Sequence, residues 1–146
     1  MSRREQLLQA LELHVHQDCN DYAALEALMQ ALYEQLMRRD CLRIEQSNRQ
    51  ISECLERLSA HATWRSKALA AFGLKADKAS MARVFKQYPP ARAAALAKAW
   101  QRLEALTQSC RALNERNGRL LAMHNDILAQ LLAAEQAEPV YRSQYY

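Results

Sequence analysis

Apolar residues recur along this chain at alternating steps of three and four, the spacing that gathers them on one face of an α-helix. From Leu8 the steps run through Leu11, Val15, Asp18, Tyr22, Leu25, Met29, Leu32 and Leu36 without a skip, and they predict a helix over about 4–37. Asp18 is the charged member of that seam. Asn20 and Asp21 beside it are residue types that cap helices, so a break near Gln17 to Asp21 is the alternative to one continuous helix.

Asp40 stands where an N-cap belongs, and the spacing resumes as Cys41, Ile44, Asn48, Ile51, Leu55, Leu58, Ala62, Arg65, Leu69 and Phe72. A second helix is predicted over 41–72, ended by Gly73. The link at Arg38 to Asp40 is short enough to require antiparallel neighbours. A short connecting helix over about 79–88, with Ser80 as a cap and Val84 and Phe85 inside it, ends at Pro89 and Pro90. Proline has no amide to donate and restricts the residue before it, yet suits the first turn of a helix.

The last helix, over about 91–134, has the most regular seam: Ala99, Leu103, Leu106, Cys110, Leu113, Asn117, Leu120, His124, Ile127 and Leu131. At about 1.5 Å per residue the first two helices reach roughly 50 Å and this one roughly 65 Å. If it starts level with the hairpin, its final turns, about 124–134, extend past the tight turn and leave Ile127, Leu128, Leu131 and Leu132 without an internal partner. The pattern predicts an all-α fold: an antiparallel bundle of three long helices with coiled-coil-like packing, a short connecting helix and an extended tail. One domain, 1–136, and a flexible tail, 137–146, are expected.

Composition agrees. Half of the 146 residues are apolar, enough to bury one core. With only two glycines and three prolines, there is little of the turn chemistry that sheets and catalytic loops require. No run approaches the roughly 20 apolar residues of a membrane span, and the opening residues lead into an amphipathic segment, so a cytoplasmic protein without membrane insertion is expected. Residues 1–37 hold two arginines and six acids, whereas 64–119 hold twelve basic residues and three acids, and these stretches should attract each other.

No constellation of residues points to catalysis, so no enzymatic activity is expected. Cys19, Cys41, Cys54 and Cys110 are far apart with no Cys-x-x-Cys pair, and each falls on or beside an apolar stripe, as free buried thiols do. His14 and His16 are two apart, pointing about 200° away from each other on a helix, so they read as surface residues and not as a metal pair. His61 and His124 have no ligand partner at local spacing, so neither metal nor cofactor is expected. The basic stretch could neutralise phosphates, but aromatics beside Arg111, Arg116 and Arg119 are sparse and no recognition motif is present, so nucleic acid is not an expected partner. Asn117 in an apolar seam suggests a register-setting role or a role in partner choice, and Gly118 in mid-helix would allow another backbone to approach.

The segment Leu113-Asn114-Glu115-Arg116-Asn117-Gly118-Arg119-Leu120-Leu121 on a long last helix, followed by Glu138-Pro139-Val140-Tyr141, resembles the FlgN family of flagellar type III export chaperones. The long first helix, the Asp-started second helix ending in Phe72-Gly73-Leu74 and the Pro-Pro opening of the last helix come in the family's order. The resemblance implies a cytosolic chaperone that binds the C-terminal regions of hook-filament junction proteins of the FlgK and FlgL type, keeps them unassembled and delivers them to the flagellar type III secretion apparatus. It places client contact on Leu113, Asn117, Gly118, Leu120, Leu121, Ile127, Leu128 and Leu131, and docking at the export gate on Tyr141. In the family a glycine usually follows that tyrosine closely, whereas here the chain runs Arg142-Ser143-Gln144-Tyr145-Tyr146. Without the resemblance, the same heptads describe a self-assembling coiled-coil structural or adaptor protein that forms a homodimer through its bare stripe, or less readily a nucleic-acid-binding helical protein.

Overall fold

The computed structural model describes residues 1–137, and all of its regular elements are helices: α1 (Arg3–Arg38), α2 (Cys41–Ala71), α3 (Lys78–Phe85) and α4 (Pro90–Ala137). Each of the first three starts at the side chain that precedes it. Ser2 Oγ accepts from the Glu5 amide, Asp40 from Arg43 and Asp77 from Ser80, so each cap satisfies a donor that the first turn leaves open. The hydrogen bond from the Ser80 amide holds the Asp77 carboxyl below its ordinary range.

α1 is unbroken through Gln17 to Asp21. It ends in a left-handed Arg39 (φ 54°), whose amide returns to Gln35 and Leu36, and Asp40 then opens α2. A turn this tight folds α2 back along α1, as the pairs Ser47–Gln35, Arg57–Asp21 and Arg65–Asp18 show. α4 runs parallel to α1: Tyr88 Oη donates to the Leu8 carbonyl, Cys19 Sγ to Ala99, Cys110 Sγ to Tyr22 and Asn117 Nδ2 to Met29.

α1 is the middle helix, and its seam from Leu11 to Leu36 is buried between α2 on one side and α4 on the other. Two cores result. Toward the turn, Leu25, Met29, Leu32 and Leu36 meet Ile51, Cys54 and Leu58 of α2 and Cys110 and Leu120 of α4. At the opposite end, α3 inserts Met81, Val84 and Phe85 against Leu11, Val15, Leu69 and Leu96.

The phase of α2 differs from the pattern read in the sequence. The inward positions are Ser47, Ile51, Cys54, Leu58 and Leu69, with Arg65 between them, while Asn48, Leu55 and Ala62 face outward. Leu55 is more apolar than its neighbour Cys54 and so draws the sequence pattern one residue out of phase. The thiols also divide differently from expectation: Cys19, Cys54 and Cys110 are buried, but Cys41, in the first turn of α2, is exposed. Burial pushes the Cys19 thiol up and that of Cys110 to about 11. Both act as weak donors between α1 and α4.

The attraction expected between the acidic and basic stretches takes the form of two ion pairs. Arg92 of α4 donates to Glu12 through Nε at 3.0 Å and Nη2 at 2.7 Å, and this holds the Glu12 carboxyl below its ordinary range. Arg65 reaches Asp18 at 2.8 Å.

Candidate functional site at the overhanging end of the last helix

Residues of α1 and their partners on α4 or just before it are separated by 80 positions at Leu8 and Cys19 and by 88 at Tyr22 and Met29. At those offsets Arg38, the last residue of α1, lies level with residues 118–126 of α4. α4 continues to Ala137, so its last dozen residues, roughly 18 Å of helix, pass beyond the hairpin turn.

The apolar face does not stop where its internal partner stops. In a helix of 3.6 residues per turn, positions 18 apart share one bearing. Leu128 therefore repeats the direction of Cys110, and Leu131 that of Leu113. Cys110 is buried on α1, whereas Leu128 is 56% and Leu131 63% exposed. Leu121, Met123, Ile127 and Leu132 add to the same bare end.

The residues on which the family resemblance leads one to expect client contact divide into two groups. Leu121, Ile127, Leu128 and Leu131 are exposed. Asn117 and Leu120 are buried and Leu113 is half-buried against α1, so these three build the core that holds α4 in place. Asn117 donates its amide to the Met29 carbonyl at 3.0 Å, tying the register of α4 to α1. Gly118 faces open space, and a Cβ there would meet nothing within 4 Å, so the close approach expected at this glycine is not made among the described residues. Tyr141 lies outside the described residues.

A second polar cluster crosses the bundle on the other side of its midpoint. The Asp18 carboxylate is 1% exposed and accepts from His61 Nδ1 at 2.6 Å and from Arg65 Nη1 at 2.8 Å. The His14 ring stacks on His61 with centroids 4.1 Å apart, Trp64 meets His14 edge-on, and the Arg65 guanidinium lies over Trp100 of α4 at 5.2 Å. This corrects the reading of His14 as a surface residue: four residues before Asp18, it shares the inward face of α1. Among the described residues no three His, Cys, Asp or Glu side chains are grouped to hold a metal.

Burial, with the nearby His61 next, pushes the His14 pKa below its ordinary 6.5. The folded chain thus binds fewer protons than the unfolded chain as pH falls through 6.5, and its stability falls with it; above that pH the contribution is fully present. The urea midpoint is expected to be lower at pH 5.5 than at pH 7.5, and His14→Gln should shrink that difference. An equal drop in the variant would show that another group is responsible.

No described helix is long and apolar enough to cross a membrane. Fold and site together define a class of protein: a helical scaffold whose last helix carries a bare apolar face, suited to holding an amphipathic segment of another chain. The model of one family, described as FlgN protein, matches residues 1–145. The chain belongs to the FlgN family, a family of chaperones in flagellum biogenesis. Comparison with curated proteins gives no match, and none is found among solved structures.

Proposed function

We propose that this chain is a cytosolic export chaperone that binds the C-terminal regions of hook-filament junction proteins of the FlgK and FlgL type, keeps them unassembled and delivers them to the export apparatus. The observation that carries the reading is the apolar face of α4 continuing past the end of α1, with Ile127, Leu128 and Leu131 exposed. A helix laid on that face would bury those side chains at about 25 cal/mol per Å² of apolar surface, and holding a client there would keep its own apolar stripe from self-association. Membership of a flagellar chaperone family supports the choice of client.

Calorimetry with a purified junction-protein C-terminal region tests it. We expect a one-to-one complex, and a loss of at least about 100-fold in affinity for the Ile127→Asp/Leu131→Asp double variant, with helix content and melting temperature unchanged because neither residue is part of the core. Unchanged affinity would remove this face from the proposal. Leu120→Asp is unsuited to the purpose, since Leu120 is buried and its variant would unfold the turn-proximal core. A stable dimer indifferent to the client, seen by light scattering, would assign the stripe to self-assembly instead.

A further inference from the structure

The overhanging face ends against a charged wall. Arg38 and Arg39 are exposed at the hairpin turn, Arg43 lies one turn into α2, and Arg116 of α4 sits over the Tyr33 ring at 3.7 Å. Of the acids near the turn, Asp40 is committed to capping α2 and pairs with Arg43 at 3.5 Å, while Glu34, one helical turn before Arg38, borders the same depression as Arg38 and Arg43 and is outnumbered by the arginines. Anything lying on Leu128 and Leu131 in the bearing of Cys110 and Leu113 occupies the prolongation of α1, because α1 fills that bearing one stretch earlier. Such an occupant therefore meets the turn end-on.

We propose that the occupant is an amphipathic helix set in line with α1, running antiparallel to α4, with its C-terminal end and an acidic last turn against Arg38 and Arg39. This rests on the reading of the overhang as a client site and specifies the client's polarity and charge. A helix C-terminus carries roughly half a negative charge on its last carbonyls, and although α1 also ends at this gap, the full charges of Arg38 and Arg39 exceed the partial charge of its carbonyls and favour an acidic C-terminal turn over a positive N-terminus. Apolar residues at steps of three and four over about twelve residues would match the overhang, since one stripe must repeat the spacing of the other.

Cys41, exposed beside the turn, provides a native handle for testing the polarity, with the other thiols buried. The probe is the junction-protein segment used for calorimetry, carrying a single cysteine in either the last or the first turn of its apolar helix. Under mild oxidation the last-turn cysteine should form a disulfide with Cys41 and the first-turn cysteine should not, and Cys41→Ser should abolish the product. In parallel, Arg38→Gln/Arg39→Gln should weaken binding about tenfold in low salt and much less at high salt, where such charges are screened. Preferential reaction of the first-turn cysteine would reverse the polarity and overturn the proposal. So would binding of normal affinity with neither cysteine reacting, which places the client elsewhere while leaving the chaperone reading intact. No binding by the unmodified chain would remove both.

Discussion

Replacing Asp18 with alanine is expected to cost about 3 kcal/mol of folding stability, lowering the melting temperature by roughly 10 °C, because it leaves the Arg65 guanidinium without its counter-ion and His61 without its hydrogen-bond partner at a largely buried site. Asp18 is almost wholly enclosed at the centre of α1, and it accepts hydrogen bonds from His61 and Arg65, whose side chains are 21% and 16% exposed. Water reaches those partners in part, which places the cost at the lower end of the 3–5 kcal/mol typical of breaking a buried pair. Asp18→Asn keeps the shape and one acceptor, so it should cost less. The triple change Asp18→Leu/His61→Leu/Arg65→Leu removes the charges together and should be near neutral or stabilising, since desolvation consumes most of what such a network contributes. Urea titration with a common m-value checks all three. A triple variant as unstable as Asp18→Ala would show that the network, and not merely its completeness, holds α1 to α2.

Asp18 also marks the limit of what the sequence reveals. Its position on the seam of α1 is plain from the spacing, and so is the alternative of a broken helix. What decides between them is a pair of side chains 43 and 47 residues further along. Local pattern carries no sign of that distant compensation. The same holds for α2, where Leu55 outweighs Cys54 in the local pattern and draws the seam to Ala62, away from His61. The stack of His61 on His14 therefore has no local signal. By contrast, α1 and α4 have seams dominated by Leu, and their buried positions follow the spacing closely from Leu11 to Leu36 and from Leu103 to Leu120.

The bare end was legible for a simpler reason: it follows from length. A helix of 48 residues beside one of 36 must protrude unless it is displaced at its start, and Tyr88 and Arg92 pin that start to Leu8 and Glu12. The sequence could not separate the part of the seam used internally from the part left over, because Leu113 and Leu131 look alike in a heptad. The register set by Cys110 and Asn117 makes that separation. The arginines at the turn escaped notice as a feature of the site because nothing local ties residues 38 and 39 to residues 128 and 131.

Two leucine-to-alanine substitutions on α4 should therefore have opposite consequences. Leu96 is fully enclosed among Leu11, Val84 and Phe85, in the core that α3 closes. Leu96→Ala removes three buried carbons and leaves a cavity, at an expected cost of about 3 kcal/mol within the 2–5 usual for such a change. The part of the variant that remains folded should bind the client as the wild type does, since the site lies several turns away. Leu128→Ala removes the same atoms from a side chain already more than half in water, so its stability should stay within about 0.5 kcal/mol of the wild type. Its client affinity, however, should fall about tenfold, because only in the complex is that side chain enclosed. Thermal melts and calorimetry on both variants separate the two roles. Were Leu128→Ala to destabilise the free chain as Leu96→Ala does, the last turns of α4 would be covered in solution by the protein itself, and the client face would have to lie elsewhere.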